Sequence, residues 1–324
     1  MTRALRNLLG VGLLAVVGLI TGCGSDEPAA PAGTVGGTET EAAAGALPTV
    51  AGAFGKQAKI TLPSPTPSGY SATVLTKGTG RTVEAGDLLV AHYLGETWRD
   101  GKVFDQSYER GAPASFPIGV GQVIPGWDEK LVGQKVGSRV VLVLPPDKGY
   151  GASGNPRAGI QGTDTLVFVV DIVDSIGKTA SADGTPVPAV AGLPTVTAEP
   201  GKKPVIAIPD GTSAPTKLVA QPLLQGDGPV VKEGQTLIAQ YVGVVYETGK
   251  QFDASWDRGA PASFPIGVGQ VIPGWDKGLV GRKIGSRMLL VIPPADGYGK
   301  EGNAQAGITG TDTLVFVVDM LGAA

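Results

Sequence analysis

The nineteen residues RGAPASFPIGVGQVIPGWD stand at 110–128 and again, letter for letter, at 258–276. Their apolar side chains are more than a plain scaffold needs, and the chemistry they suggest is that of a dry pocket working without a nucleophile. The rest of the chain agrees. His92 is the only histidine and Cys23 the only cysteine. That removes histidine-based triads, zinc sites and most general acid–base schemes. Tyr93 and His92 are neighbours in an apolar run, so their side chains fall on opposite faces of one strand. His92 is expected to face solvent and to take no part in catalysis. Gly119, Gly121 and Gly126 form a GxG…G pattern, but no strand–helix phosphate unit surrounds it, so nucleotide binding is not expected.

The identity extends beyond those letters. Tyr93–Asp171 laid over Tyr241–Asp319 without a gap matches at 55 of 79 positions. A period that long indicates a whole small domain used twice rather than a solenoid unit. Charged residues are 17% and the net charge is −3, so no basic surface argues for nucleic acid.

The amino terminus reads as a targeting segment. Arg3 and Arg6 precede an apolar run, Leu8 to Ile20, too short to span a bilayer comfortably. Ile20-Thr21-Gly22-Cys23 resembles a bacterial lipobox, which implies cleavage after residue 22 and a lipid on the Cys23 sulfur; the alternative is an ordinary signal peptide with an incidental cysteine. The lipid reading places the mature protein outside the cytoplasmic membrane, anchored rather than spanning. Residues 23–55, rich in Ala, Gly, Pro, Thr and Glu, read as a disordered tether. Residues 177–203 read as a second such linker. The first domain is then 56–176 and the second 204–324, each large enough for one core.

Within each domain the pattern is mainly strand. Leu88–Tyr93, Leu237–Val242, Arg139–Leu144 and Thr165–Asp171 are β-rich and closely punctuated by Gly or Pro, which favours antiparallel pairing. One short stretch per repeat, Trp127–Val132 and Trp275–Val280, reads as helix. A two-turn helix cannot stand alone, so it packs on the sheet through Leu131 and one face of Trp127. The fold class is α+β: two domains, each a curved antiparallel sheet wrapped around one short helix.

The ordered blocks HYLG, GKVFDQSYERG, FPIGVGQVIPGWD, GYG and TLVFVVDIV resemble FKBP-type peptidyl-prolyl cis-trans isomerases, and QYVG, GKQFDASWDRG, FPIGVGQVIPGWD, GYG and TLVFVVDML resemble them equally. The resemblance covers nearly all of both domains and implies proline isomerase activity without a cofactor or metal. It implies a proline pocket made of Tyr93, Phe104, Val123, Ile124, Trp127, Tyr150, Ile160 and Phe168. Trp127 would be its floor, Tyr150 and the Ile124 N–H would bind substrate carbonyls, and Asp105 and Arg110 would brace the wall. The second pocket would use Tyr241, Phe252, Val271, Ile272, Trp275, Tyr298, Ile308 and Phe316, with Asp253 and Arg258. The Asp105–Arg110 pair reads as structural rather than catalytic. Partners implied are proline-containing polypeptides and macrolide immunosuppressants, and a membrane reached through the lipid. Both copies depart from the family at Ala114 and Ala262, where a pocket-edge aromatic is common, and at Asn155 and Asn303, where a histidine is common. The alanines leave a shallower edge.

The chemistry of the residues fits that reaction. Rotation about X–Pro meets a barrier of about 18–20 kcal/mol because amide resonance is lost at the twisted geometry. A dry apolar pocket disfavours the more polar planar amide, and fixed hydrogen bonds favour the twisted one. The reading is therefore an extracytoplasmic, lipid-anchored isomerase that assists folding of exported proteins. A non-catalytic peptide-binding or chaperone module remains open beside it. A solute-binding lipoprotein is opposed by the lack of a two-lobed α/β pattern.

Overall fold

A computed structural model describes residues 47–324. The targeting segment, Cys23 and the tether as far as residue 46 lie outside the described residues. Repeat 1 contains β1 (Thr49–Ala51), β2 (Lys59–Thr61), β3 (Ser71–Thr76), β4 (Leu88–Thr97), β5 (Val103–Gln106), β6 (Ala114–Pro117), helix α1 (Pro125–Leu131), β7 (Arg139–Leu144) and β8 (Leu166–Ile176). The sheet order is β3-β7-β8-β4-β5, all antiparallel, with β6 pairing the start of β4. Then come β9 (Thr185–Pro186) and repeat 2: β10 (Thr195–Thr197), β11 (Val205–Ala207), β12 (Val219–Gln225), β13 (Thr236–Val245), β14 (Gln251–Ala254), β15 (Ala262–Pro265), α2 (Pro273–Leu279), β16 (Arg287–Ile292) and β17 (Leu314–Ala323). Its sheet repeats the first and adds β9 outside β12.

Strand β7 shows why its sequence is apolar on every letter after Arg139. Alternate residues of a strand face opposite sides. Val140, Leu142 and Leu144 join the inner core with Trp127 and Leu131, whereas Val141 and Val143 join an outer cluster with Trp98 and Ile60. A strand buried on both faces loses the polar alternation of a half-exposed one. The helix starts two residues earlier than its sequence pattern suggests, because Pro125 suits the first helical position, where its missing N–H costs nothing. Its packing on the sheet depends on one close approach: a Cβ at Gly126 would lie 2.4 Å from Leu144 Cδ2.

The outer cluster corrects two expected boundaries. Residues 49–51 are not tether: β1 pairs with β2, and that hairpin covers the outer face of the sheet through Val50, Ala58, Ile60 and Leu62. Residues 195–197 are not linker either: β10 pairs with β11 and covers repeat 2 through Leu193, Val196, Ile206 and Ile208. Each short strand turns only one apolar residue inward, too weak a pattern to read from sequence, and it persists because a finished sheet lies beneath it. The rest of the linker is also docked. The Ala182 N–H donates to Asp319 Oδ2 at 3.2 Å, and Gln240 donates to the Lys178 carbonyl at 2.9 Å. Leu88, Val90 and Ile176 of repeat 1 meet Ile238, Leu321 and Ala324 of repeat 2 in one apolar cluster, so the repeats share a packed junction.

His92 departs from expectation as well. It lies on the face opposite Tyr93, but the ring is half-buried, stacked on Tyr108 at 4.8 Å with Nδ1 3.0 Å from Ser107 Oγ.

Candidate functional site

Five elements of repeat 1 bring aromatic rings to one point on the inner face of the sheet. Tyr93 comes from β4, Phe104 from β5, Phe116 from β6, Trp127 from α1 and Phe168 from β8. The Trp127 ring meets Tyr93, Phe116 and Phe168 edge-to-face at centroid distances of 5.5, 5.0 and 5.4 Å, and Phe104 meets Phe168 at 5.4 Å. Edge-to-face contacts fix ring positions as well as burying area. Trp127 is 3% exposed, and its indole N–H has no hydrogen-bond partner among the described residues, so the floor is a buried aromatic surface. Repeat 2 reproduces the box: Trp275 meets Tyr241, Phe264 and Phe316 at 5.4, 5.0 and 5.4 Å.

Glycine makes this possible. A Cβ on Gly95 would lie 2.7 Å from Phe104 Cζ and 2.8 Å from Phe168 Cε1; one on Gly243 would meet Phe252 and Phe316 at 2.6 and 2.8 Å.

The polar rim is a triangle. Tyr93 Oη donates to Asp105 Oδ2 at 2.5 Å, while Arg110 donates to Tyr93 Oη at 2.6 Å and to Asp105 Oδ1 at 2.8 Å. Tyr241, Asp253 and Arg258 repeat it. Burial, then the hydrogen bond to its aspartate, pushes each tyrosine hydroxyl well above its ordinary pKa, so it stays a neutral donor. Burial also pushes Tyr150 up to about 12.

The loop that leads into the helix is held by one carboxylate. Asp128 accepts the Gly119 and Gly121 N–H groups, both at 2.6 Å, and Asp276 accepts those of Gly267 and Gly269 at 2.6 and 2.8 Å. Both acceptor-facing glycines of repeat 1 sit at φ +74, where a side chain would be strained. This gives the GxG pattern a role in the loop: its N–H groups are held by an anion that the chain itself supplies. Ile124 follows that loop and lines the cavity, and its N–H bonds to no other described group.

Most of the expected pocket residues come together. Tyr93, Phe104, Asp105, Val123, Ile124, Trp127 and Phe168 line the cavity of repeat 1. Tyr150 and Ile160 do not line it but pack on the same core. In repeat 2, Tyr241, Phe252, Asp253, Val271, Ile272, Trp275, Tyr298 and Phe316 line the cavity, and Ile308 lies buried in the core beneath. The cavities differ in volume, about 10 Å³ in repeat 1 and about 770 Å³ in repeat 2, where the lining extends over Gln270, Gln305 and Tyr298. Sequence reasoning missed Phe116 and Phe264. Each stands two residues after the edge alanine and so on the same face of its strand. Each lines the wall behind the position that Ala114 or Ala262 leaves small.

Comparison with known proteins matches residues 79–173 and 228–321 to the model of the FKBP-type peptidyl-prolyl cis-trans isomerases. A FK506-binding protein of Streptomyces anulatus is 45% identical over 120 residues, 37% of this chain and 96% of the relative. The human peptidyl-prolyl cis-trans isomerase FKBP9 is 31% identical over 241 residues, 74% of this chain and 35% of the relative, so the chain matches about a third of that protein's length. The solved structure of the three FKBP domains of wheat FKBP73 aligns over 78% of this chain and 94% of that chain, at 22% identity and a TM-score of 0.33.

Proposed function

The chain belongs to the FKBP-type peptidyl-prolyl cis-trans isomerase family, and from that premise we propose that both repeats isomerise X–Pro bonds in exported polypeptides near a membrane surface. The observation that carries this is the buried aromatic box, built twice from the same residues. A prolyl ring would sit among Trp275, Phe316, Phe252 and Tyr241 in the open cavity of repeat 2, where no charged group faces it except at the rim, and the same four rings stand in repeat 1. The Ile124 N–H is placed to hold a substrate carbonyl, and Tyr150, neutral at physiological pH, has a hydroxyl to donate from the other side of the core. Excluding water removes the solvation that favours the planar, more polar amide. The residues need move no proton and form no covalent bond. Lowering the barrier by about 7–8 kcal/mol corresponds to roughly 10⁵–10⁶-fold acceleration. FK506-like macrolides are proposed ligands of the same pockets.

The test uses the full chain. Isomerisation of an X–Pro tetrapeptide is measured for the unsubstituted protein, for Trp127→Leu, for Trp275→Leu and for the double variant. Each single change is expected to remove one repeat's share of the rate and the double change all of it. A folded unsubstituted protein that leaves the rate at its uncatalysed value, tens of seconds or slower, would refute the reading.

The lipid anchor at Cys23 is part of the same proposal. Its support is the lipobox-like Ile20-Thr21-Gly22-Cys23 after a short apolar run, and no helix of the described residues is long and apolar enough to cross a membrane. Cys23→Ala should release the protein from the membrane fraction and lower its mass by the lipid; unchanged retention and mass would remove the anchor from the proposal.

A further inference from the structure

The outer edges of the two sheets are treated differently. Repeat 1 ends at β3, whose one strand neighbour among the described residues is β7. Its sequence, SATVLT, has no charge and no proline, and Val74 and Leu75 are 42% and 47% exposed. Exposed apolar edges of this kind pair readily with other chains, and proteins ordinarily blunt them with proline, charge or a covering segment.

Repeat 2 uses two of those devices at the matching place. Pro222 stands where repeat 1 has Val74, and β9 pairs along the outside of β12, with Leu224 opposite Pro186 and Gln225 opposite Thr185. The Val187 N–H extends the pairing, donating to the Leu223 carbonyl at 3.0 Å. Leu223, the counterpart of Leu75, is partly buried under the linker. The two edges are otherwise the same structure, down to a bulge after Val74 in one and after Pro222 in the other. Proline is tolerated in a sheet where its missing N–H would face away from the ladder. Pro222 keeps its register with Met288, so by correspondence the Val74 N–H points outward.

We propose that β3 is a docking edge for an extended, uncharged, apolar segment of a client polypeptide, which adds as an antiparallel strand beside Val74 and Leu75 while the pocket stays free. The occupant of the matching edge, an uncharged Thr-Pro-Val run in extended form, shows what this edge geometry accepts. Main-chain hydrogen bonds carry such strand addition, and side chains only select among extended segments. That the partner is an unfolded client rests on the isomerase reading; the receptive edge does not.

The test follows binding of a fluorescent, proline-free peptide of alternating Val and Thr to the full chain by anisotropy, alongside isomerisation of an X–Pro tetrapeptide. Val74→Pro, which removes the outward N–H, is expected to weaken peptide binding and leave isomerisation unchanged. Leu75→Lys, which places a charge on the edge, is expected to weaken binding likewise and serves if Val74→Pro fails to fold. Undiminished binding by the folded variants would overturn the proposal. So would an unsubstituted chain that does not bind, as expected if residues 1–46 or a second copy already occupy the edge. Binding weakened by Val74→Pro and Leu75→Lys in a protein that shows no isomerisation at all would uphold the edge and sink the pocket reading.

Discussion

Arg139 and Asp171 are paired across the β7–β8 ladder by two parallel N–H···O bonds of 2.6 and 2.7 Å, with both side chains out of water. The pair also holds the outer hairpin. Arg139 donates to the Gly52 and Lys56 carbonyls, and the Gly55 N–H and Tyr108 hydroxyl donate to Asp171. Arg287 and Asp319 form the same pair in repeat 2, where the linker's Ala182 N–H takes the place of Gly55.

Asp171→Ala should therefore cost about 3–5 kcal/mol, because it leaves a buried guanidinium unpaired. Replacing both partners by apolar residues is often harmless for a buried pair, but here the Gly52 and Lys56 carbonyls would lose their donor too. The double variant Arg139→Met/Asp171→Leu is expected to stay destabilised. Urea unfolding followed by far-UV circular dichroism would show an early transition for repeat 1 in both; a double variant as stable as the original would show that the hairpin does not depend on the pair.

His92 should make stability fall in weak acid. Burial lowers its pKa, with Asp171 pulling the other way. The unfolded chain then binds the proton more readily than the folded one. Stability is complete above about pH 6.5, the ordinary histidine value, and is lost as pH falls through the lower folded value. His92→Gln, the residue repeat 2 carries as Gln240, should flatten that part of the profile. The check is the urea midpoint of both proteins between about pH 8 and about pH 5; parallel profiles would mean that the half-buried ring titrates as it does in water.

Much of the pocket is legible because two copies offer an internal comparison. Tyr93 and Phe104 recur at fixed spacing among residues that vary, Trp127 and Phe168 recur within unchanged runs, and the resemblance assigns all four to one site. Phe116 is hidden by the same identity: within nineteen unchanged letters, pocket and scaffold cannot be separated, and only the two-residue spacing from Ala114 points to it. Gly95 stands in the HYLG block, but its reason lies in two rings brought from β5 and β8, which no local pattern records. The outer hairpins escape because Val50 and Val196 are single inward residues in three-residue strands. The hairpins form through what they cover, and a local pattern does not record that.

Tyr93→Phe isolates the polar rim from the ring. The substitution keeps the aromatic contacts and the Asp105–Arg110 ion pair while removing the hydroxyl between them. Losing a hydrogen bond of this kind typically costs about 1 kcal/mol of stability, somewhat more when a charged partner is involved. Catalytic efficiency of repeat 1, measured in a Trp275→Leu background, should fall by no more than about tenfold, since 1.4 kcal/mol is a factor of ten. A loss of several hundredfold would mean that the hydroxyl acts on the substrate and does more than brace the wall.

Gly95→Ala tests whether the box tolerates any change of shape. The new Cβ would lie 2.7 Å from Phe104 Cζ and 2.8 Å from Phe168 Cε1, well inside contact distance. Neither ring can retreat easily, because Phe168 already meets Trp127 at 5.4 Å and Phe104 at 5.4 Å. The backbone of Gly95 is fixed as well, paired with Phe168 on one side and Asp105 on the other. Overpacking of this sort costs about 1–3 kcal/mol, and here the displaced atoms are the walls of the pocket. Repeat 1 should stay folded yet lose most of its isomerisation in the Trp275→Leu background, with the fluorescence of Trp127 shifted by its moved neighbours. Gly243→Ala, with approaches of 2.6 and 2.8 Å to Phe252 and Phe316, should do the same to repeat 2 when Trp127 is replaced. Full activity in the folded variants would show that the rings yield without consequence, and the glycine would then owe its place to strand pairing alone.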